Sequence, residues 1–125
     1  MLKLLLDEHV APAVADGLHR RHRSLIVVCL AEWENGAFLG QSDSAYLQHA
    51  VAQALTLVTY DRRTIPPLLK VWGEEGRKHS GVIFVDEKTI PPEDIRGLVR
   101  ALNDLLREAA NWEWTNRVCF LRRSP

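Results

Sequence analysis

The hydrophobic residues of this 125-residue chain alternate between two patterns. Short, almost continuous apolar runs are typical of strands that are covered on both faces of a sheet. Five such runs occur, at residues 2–6, 25–30, 56–60, 81–85 and 117–121. Between them lie stretches with helical spacing of apolar residues, which begin near residue 12 and span about 43–54, 65–72 and 92–110. The alternation predicts an α/β fold with a mostly parallel sheet of about five strands and crossover helices.

The last predicted helix has the clearest pattern. Apolar residues recur there at three- and four-residue spacing, and charged residues occupy the opposite face. Thr89 is a candidate N-cap, and Pro91 and Pro92 suit a first turn, so we expect this helix to begin at about residue 92. For the second helix, Ser42 provides capping chemistry, which places its start beside Asp43. Residues 34–41 and 73–80 are polar and contain glycine, which is typical of surface loops.

Composition indicates one globular domain spanning residues 1–125. Apolar residues make up 46% of the chain, and the formal net charge is zero, so any nucleic-acid binding must be local. No apolar run approaches the roughly 20 residues needed to cross a bilayer, and the first apolar run ends at Asp7 and Glu8, unlike a signal peptide. We therefore expect a cytoplasmic protein without membrane contact. Cys29 and Cys119 lie in apolar runs and are expected to be small buried hydrophobes.

Acidic residues gather where the predicted strands end. They follow three strands, as Asp7 with Glu8, as Asp61, and as Asp86 with Glu87. Asp43 opens a helix, and a crossover helix begins on the same side as the carboxyl ends of the strands. The pattern thus predicts that Asp7, Asp43 and Asp61 converge.

Carboxylates brought together repel one another, and a hard cation such as Mg²⁺ or Mn²⁺ relieves that repulsion. A metal that binds a phosphodiester oxygen and a water lowers the pKa of that water, which makes phosphodiester hydrolysis the natural chemistry. The alternative is that the same three aspartates serve only as turn and helix-cap residues, which are common roles for Asp.

Basic residues are concentrated in two places. Residues 19–23 form the densest run, with three Arg and two His, and Arg62 and Arg63 follow Asp61 directly. A run of charge is usually a solvated face, but arginines that line one groove bind phosphates without reading sequence.

Four segments, taken in order, resemble the short PIN-like family of the PIN/Mut7-C-like ribonuclease superfamily. They are Leu4-Leu5-Leu6-Asp7-Glu8-His9-Val10, Ser42-Asp43, Val58-Thr59-Tyr60-Asp61 and His79-Ser80-Gly81-Val82-Ile83. The resemblance implies a three-layer α/β/α domain and a metal-dependent ribonuclease, in some members the toxin of a toxin–antitoxin pair. It implies that Asp7, Asp43 and Asp61 are catalytic metal ligands for Mg²⁺ or Mn²⁺, with Glu8 as a supporting candidate.

The chain departs from that family just after Asp61, where Arg63 and Thr64 stand in place of a further Asp followed by Phe. A guanidinium cannot ligate a cation, so Arg62 and Arg63 are assigned to the RNA phosphate instead. The departure supports an alternative function, a non-catalytic PIN-like module that binds an antitoxin-like protein or forms a homo-oligomer.

Two other classes of domain fit less well. A phosphorylation-receiver domain shares the acidic end of the first strand, but it requires a Lys at a later strand end, and none is present there. A dinucleotide-binding domain requires a glycine-rich turn after the first strand, whereas Asp7 and Glu8 follow directly.

Overall fold

The computed structural model describes residues 2–30, 32 and 42–125, so the predicted loop at 34–41 lies outside the described residues. In the described ranges strands and helices alternate as the sequence predicts. The elements are β1 (Leu4–Leu6), α1 (Pro12–Arg21), β2 (Val27–Cys29), α2 (Asp43–Ala52), β3 (Thr56–Thr59), α3 (Ile65–Glu74), β4 (Val82–Phe84), α4 (Ile95–Ala109) and β5 (Val118–Phe120).

The five strands form a single sheet in the order β2-β1-β3-β4-β5, and every neighbouring pair is parallel. The chain runs from β1 outward to β2 and then crosses back to β3 on the other side of β1. The direction of winding therefore reverses between β1 and β3, which are paired from Leu4↔Thr56 to Leu6↔Val58. In open parallel sheets, the crevice beyond the carboxyl ends of the strands at this switch point is where ligands bind.

Helices cover both faces of the sheet and give it three layers. Leu4 and Leu6 belong to the core cluster that includes α1 and α4, whereas Leu5 belongs to the cluster that includes α2 and α3. This division follows from the strand period of two, because consecutive side chains leave opposite faces. The predicted α/β fold with a mostly parallel sheet of about five strands and helices on both faces is confirmed.

Two predicted helix boundaries are wrong. The helix α4 begins at Ile95 and not at residue 92, because the Asp94 carboxylate caps it by accepting a hydrogen bond of 3.0 Å from the Gly97 N–H. Thr89 belongs instead to the preceding turn, in which its N–H bonds to the Asp86 carbonyl. The helix α3 continues to Glu74, two residues into the predicted loop at 73–80. At α2 the prediction is confirmed, since Ser42 Oγ accepts from the Ala45 N–H at 3.2 Å.

The two cysteines are free thiols. Cys29 is buried, as expected, and burial raises the pKa of its thiol to about 11. Cys119 is only half-buried, although it packs against the core. Within the described part of the chain, no helix is sufficiently long and apolar to cross a bilayer.

Candidate functional site at the carboxyl edge

Asp7 is the most deeply buried carboxylate at the carboxyl edge of the sheet, with 4% of its surface exposed. It follows β1 and is held beside β3 by a hydrogen bond of 3.1 Å from its own N–H to the Val58 carbonyl. Its Oδ2 accepts a hydrogen bond from the buried Thr59 hydroxyl, and its Oδ1 accepts one of 2.9 Å from the His9 N–H. Strand alternation explains the contact, since Asp7 and Thr59 continue the face of Leu5 and Leu57.

The environment of Asp7 opposes its ionisation. Burial raises the pKa of this carboxyl above its usual value, although the hydrogen bonds from Thr59 and His9 act in the opposite direction. A buried carboxylate with a raised pKa at a sheet edge is a recognised feature of functional sites, because folding alone does not require a charge there.

Asp61 lies on the more exposed side of the same edge. Its N–H donates to Thr59 Oγ1 at 2.9 Å, so the Thr59 hydroxyl connects Asp7 to the backbone of Asp61. The Asp61 carboxylate closes the turn after β3, because Oδ1 accepts hydrogen bonds from the Arg63 and Thr64 N–H groups at 2.9 and 2.8 Å. Burial acts to raise the pKa of Asp61, but the bonds from Thr64 and Arg63 outweigh it, and the pKa is lowered. Asp61 therefore carries a negative charge at neutral pH.

Asp43 approaches the site from the first turn of α2. The Thr64 hydroxyl lies 2.7 Å from Asp43 Oδ2 and also hydrogen-bonds to Asp61 Oδ2. A hydroxyl has a single hydrogen, so it satisfies one of the two carboxylates at a time. Two carboxylates that share one proton donor retain an excess of negative charge, which favours a cation beside them.

The three predicted aspartates thus form a hydrogen-bonded series in the order Asp7, Thr59, Asp61, Thr64 and Asp43. They are not arranged around one point, since among the described residues no group of three or more His, Cys, Asp or Glu side chains is placed to hold a metal ion. The Asp43–Asp61 pair alone still suits Mg²⁺ or Mn²⁺, because Mg²⁺ in proteins is commonly held by one or two carboxylates together with waters and substrate phosphates. Asp7 is connected to that pair through the Thr59 hydroxyl, which bonds to the Asp7 carboxylate and to the Asp61 N–H.

The two threonines that join the aspartates were not singled out by sequence reasoning. Thr59 occupies the first position of the Thr-x-Asp motif, and Thr64 follows Asp61 by three residues. That Asp-x-x-Thr spacing is typical of a carboxylate that closes a turn on its own backbone, which was a usable signal.

Glu8 and His9 lie at the surface, and His9 lines the same cleft as Asp61. The Glu8 carboxylate is 3.8 Å from His9 Nε2, and both side chains are more than half exposed. Among the described interactions, the Glu8 side chain makes no hydrogen bond to Asp7, so Glu8 is not part of the hydrogen-bonded series of aspartates and threonines.

The two arginines predicted to bind phosphate line an open cleft of about 830 Å³ beside the acidic series. The cleft is lined also by His9, Asp61, Asp86 and Lys88. Arg62 forms an exposed ion pair with Asp86, with Nη1 and Oδ2 3.4 Å apart. Such a pair contributes little to stability and is readily exchanged for a phosphate partner. The cleft therefore places cations next to Asp61.

His79, the first residue of the fourth resembling segment, lies at the opposite edge of the sheet. Its Nδ1 accepts a hydrogen bond of 3.0 Å from the Gly81 N–H, and its backbone pairs with Asn116. It holds the entry to β4 and is separate from the carboxylates, as the position of this residue before its strand predicts.

Comparisons with family models, with curated proteins and with solved structures found no match to this chain.

Proposed function

We propose that this protein is a divalent-metal-dependent ribonuclease that hydrolyses phosphodiester bonds at the carboxyl edge of its sheet. The observation that carries the proposal is the Asp43–Asp61 pair, in which both carboxylates contact the single Thr64 hydroxyl at the switch point between β1 and β3. The choice of RNA, and of a toxin role within a toxin–antitoxin pair, rests on the PIN-like resemblance. A cytoplasmic location belongs to the same proposal.

Each residue of the site has a distinct part in this proposal. Asp43 and Asp61 hold Mg²⁺ or Mn²⁺, and the ion, when bound, activates a water and neutralises charge on the phosphate. Asp7 positions Asp61 through the Thr59 hydroxyl. Arg62 and Arg63, on the wall of the adjoining cleft, bind the RNA phosphate by charge-assisted hydrogen bonds.

The test compares metal binding and RNA cleavage in matched variants. Asp61→Asn and Asp43→Asn each remove a charged ligand while keeping the size of the side chain. Asp16→Asn is the control, because Asp16 is an exposed aspartate of α1 that belongs to the other helical layer. Mn²⁺ affinity is measured by isothermal titration, and cleavage is measured with a labelled single-stranded RNA in Mg²⁺ or Mn²⁺.

We expect each site variant to lower metal affinity or cleavage by about 100-fold or more, and Asp16→Asn to match the wild type. Asp7→Asn should lower cleavage by about 10- to 100-fold, since it acts through Thr59 on a ligand. Equal, weak Mn²⁺ binding and no cleavage in the wild type and in Asp61→Asn would refute the nuclease proposal.

A second candidate function is a non-catalytic module that binds a protein. Arg63 stands where the family carries a further acid, and the edge strand β5 exposes Phe120 and Val118 by 60% and 44%. The strand β5 bonds to β4 through Arg117 and Leu121, so the backbone groups of residues 118 and 120 face outward. An open apolar edge of this kind accepts a strand from an antitoxin-like protein or from a second copy of the chain. If the protein is a module of this kind, the RNA cleavage assay described above will show no metal-dependent activity.

A further inference from the structure

A groove of about 470 Å³ lies between α1 and α4, in the helical layer that is remote from α2 and α3. Gly17 of α1 and Val99 of α4 line the groove at a point where the two helices are in close contact. A Cβ atom on residue 17 would lie 2.7 Å from Val99 Cγ2, so only glycine permits this approach. Beyond this close contact, side chains from the adjacent turns of α1 and α4 form the two walls of the groove.

Four exposed arginines form those walls. Arg20 and Arg21 come from the last turn of α1, and Arg96 and Arg100 come from the first half of α4. No carboxylate lines the groove. Among the described residues, none of these four guanidinium groups lies within 4.0 Å of a carboxylate oxygen, whereas ion pairs are formed by arginines elsewhere on the surface. The groove is thus an uncompensated positive site on a chain whose formal net charge is zero.

We infer that this groove binds the phosphodiester backbone of single-stranded RNA. A guanidinium forms two parallel hydrogen bonds to a phosphate, and several arginines on the walls of one groove can contact several phosphates of one strand. A flexible single strand can enter a concave groove between helices, and binding of this type follows the backbone without reading the bases.

The position of the groove favours RNA over an acidic peptide. Both α1 and α4 begin at the carboxyl edge, because they follow β1 and β4. Pro92 lines the acidic cleft beside Asp61, and Arg96, four residues further along the chain, lines the groove. One end of the groove, at Arg96 in the first turn of α4, therefore lies close to the acidic cleft, and an RNA strand is long enough to reach from the groove to the carboxylates. This inference deepens the proposed function, on which the choice of RNA rests.

The test is the binding of a 5′-fluorescein oligouridine by fluorescence anisotropy in EDTA over a range of KCl concentrations. Without divalent metal no cleavage occurs, so the groove is tested apart from the catalytic proposal. The variant is Arg96→Gln/Arg100→Gln, which removes two charges from one wall. The control is Arg107→Gln/Arg122→Gln, which removes two exposed arginines outside the groove, one of them on the same helix.

Four phosphate contacts at about 0.7 each give the wild type an expected slope of about −3 in a plot of log affinity against log salt. The groove variant should bind about 10-fold or more weakly at low salt, with a slope near −1.4, while the control stays within about twofold of the wild type. Arg20→Gln/Arg21→Gln, on the other wall, should reproduce the loss and guards against a folding defect in the first variant.

Equal losses in the groove and control variants would overturn the inference, as would the absence of RNA binding by the wild type. A fluorescein-labelled oligoglutamate that binds as tightly as the RNA, with the same losses, would also overturn it and would identify an acidic protein segment as the occupant. RNA binding by Asp61→Asn at wild-type affinity, without cleavage by any form in Mn²⁺, would support the groove and refute the proposed nuclease.

Discussion

Replacing Thr59 by Val tests whether the buried hydroxyl holds the acidic site together. The substitution keeps the shape of a fully buried residue in the core of the sheet and removes two hydrogen bonds. One is donated to the buried Asp7 carboxylate, and the other is accepted from the Asp61 N–H at 2.9 Å. In the variant, the Asp7 carboxylate and the Asp61 N–H remain but no longer have the hydroxyl as a hydrogen-bond partner.

The cost can be worked from these two bonds. A hydrogen bond to a charged group contributes about 2 kcal/mol, and a neutral one contributes about 1 kcal/mol. We therefore expect Thr59→Val to lower the free energy of unfolding by about 3 kcal/mol at pH 7. With a urea m-value of roughly 1.5 kcal/mol/M, the unfolding midpoint falls by about 2 M.

The penalty also depends on pH. The Thr59 hydrogen bond lowers the pKa of Asp7, which burial holds above its usual 3.8, so removing the hydroxyl raises the folded-state pKa further. A carboxyl with a raised folded pKa loses stability as the pH rises through that value. The penalty of Thr59→Val therefore grows as the pH rises and the Asp7 carboxyl ionises. It shrinks toward about 1–2 kcal/mol as the pH falls and Asp7 takes up a proton.

Thr56→Val is the matched control for this experiment. Thr56 lies in the same strand and is equally buried, but its hydroxyl donates to the neutral Ser80 carbonyl at 2.8 Å. It should cost about 1 kcal/mol at every pH. Urea unfolding followed by tryptophan fluorescence measures both variants at pH 7 and at the lowest pH at which they fold. Equal, pH-independent penalties at the two threonines would refute the argument, and so would an unchanged Thr59→Val penalty in an Asp7→Asn background.

Two further predictions concern the opposite edge of the sheet. Gly81→Ala should lower the free energy of unfolding by about 3 kcal/mol, because φ is +102° there and a Cβ would lie 2.9 Å from Trp114. Gly73→Ala is the control: Gly73 lies in a helix with open space around its Cβ position, so this substitution should raise the free energy of unfolding by about 0.5–1 kcal/mol. Burial lowers the pKa of His79, so stability should fall as the pH drops below about 6.5, and His79→Gln should flatten that fall in urea titrations at pH 5–8.

The fold was predictable because its signals are local. Each buried strand is a short apolar run, and each helix between strands carries an apolar stripe, so the parallel order follows from the alternation. The positions of Asp7, Asp43 and Asp61 at one edge follow from the same topology, because strand ends and crossover-helix starts share a side.

The details of the site were less predictable because they depend on side chains that meet only in three dimensions. Nothing in sequence spacing indicates that Thr64 contacts Asp43, 21 residues earlier, or that Thr59 contacts Asp7. The start of α4 was misplaced for a related reason, since two residues able to cap a helix compete there and only the folded turn selects Asp94 over Thr89.

Asp7 is the strongest reason to expect chemistry at this edge. Its burial opposes ionisation, and among the described residues no Lys or Arg forms an ion pair with it. An apolar or neutral side chain of similar size would occupy the position without that penalty. Thr59 and the His9 N–H reduce the penalty but do not reverse it. A carboxyl kept at a position where ionisation destabilises the fold is consistent with a requirement outside folding, and the metal site that we propose at the adjoining Asp43–Asp61 pair would supply one.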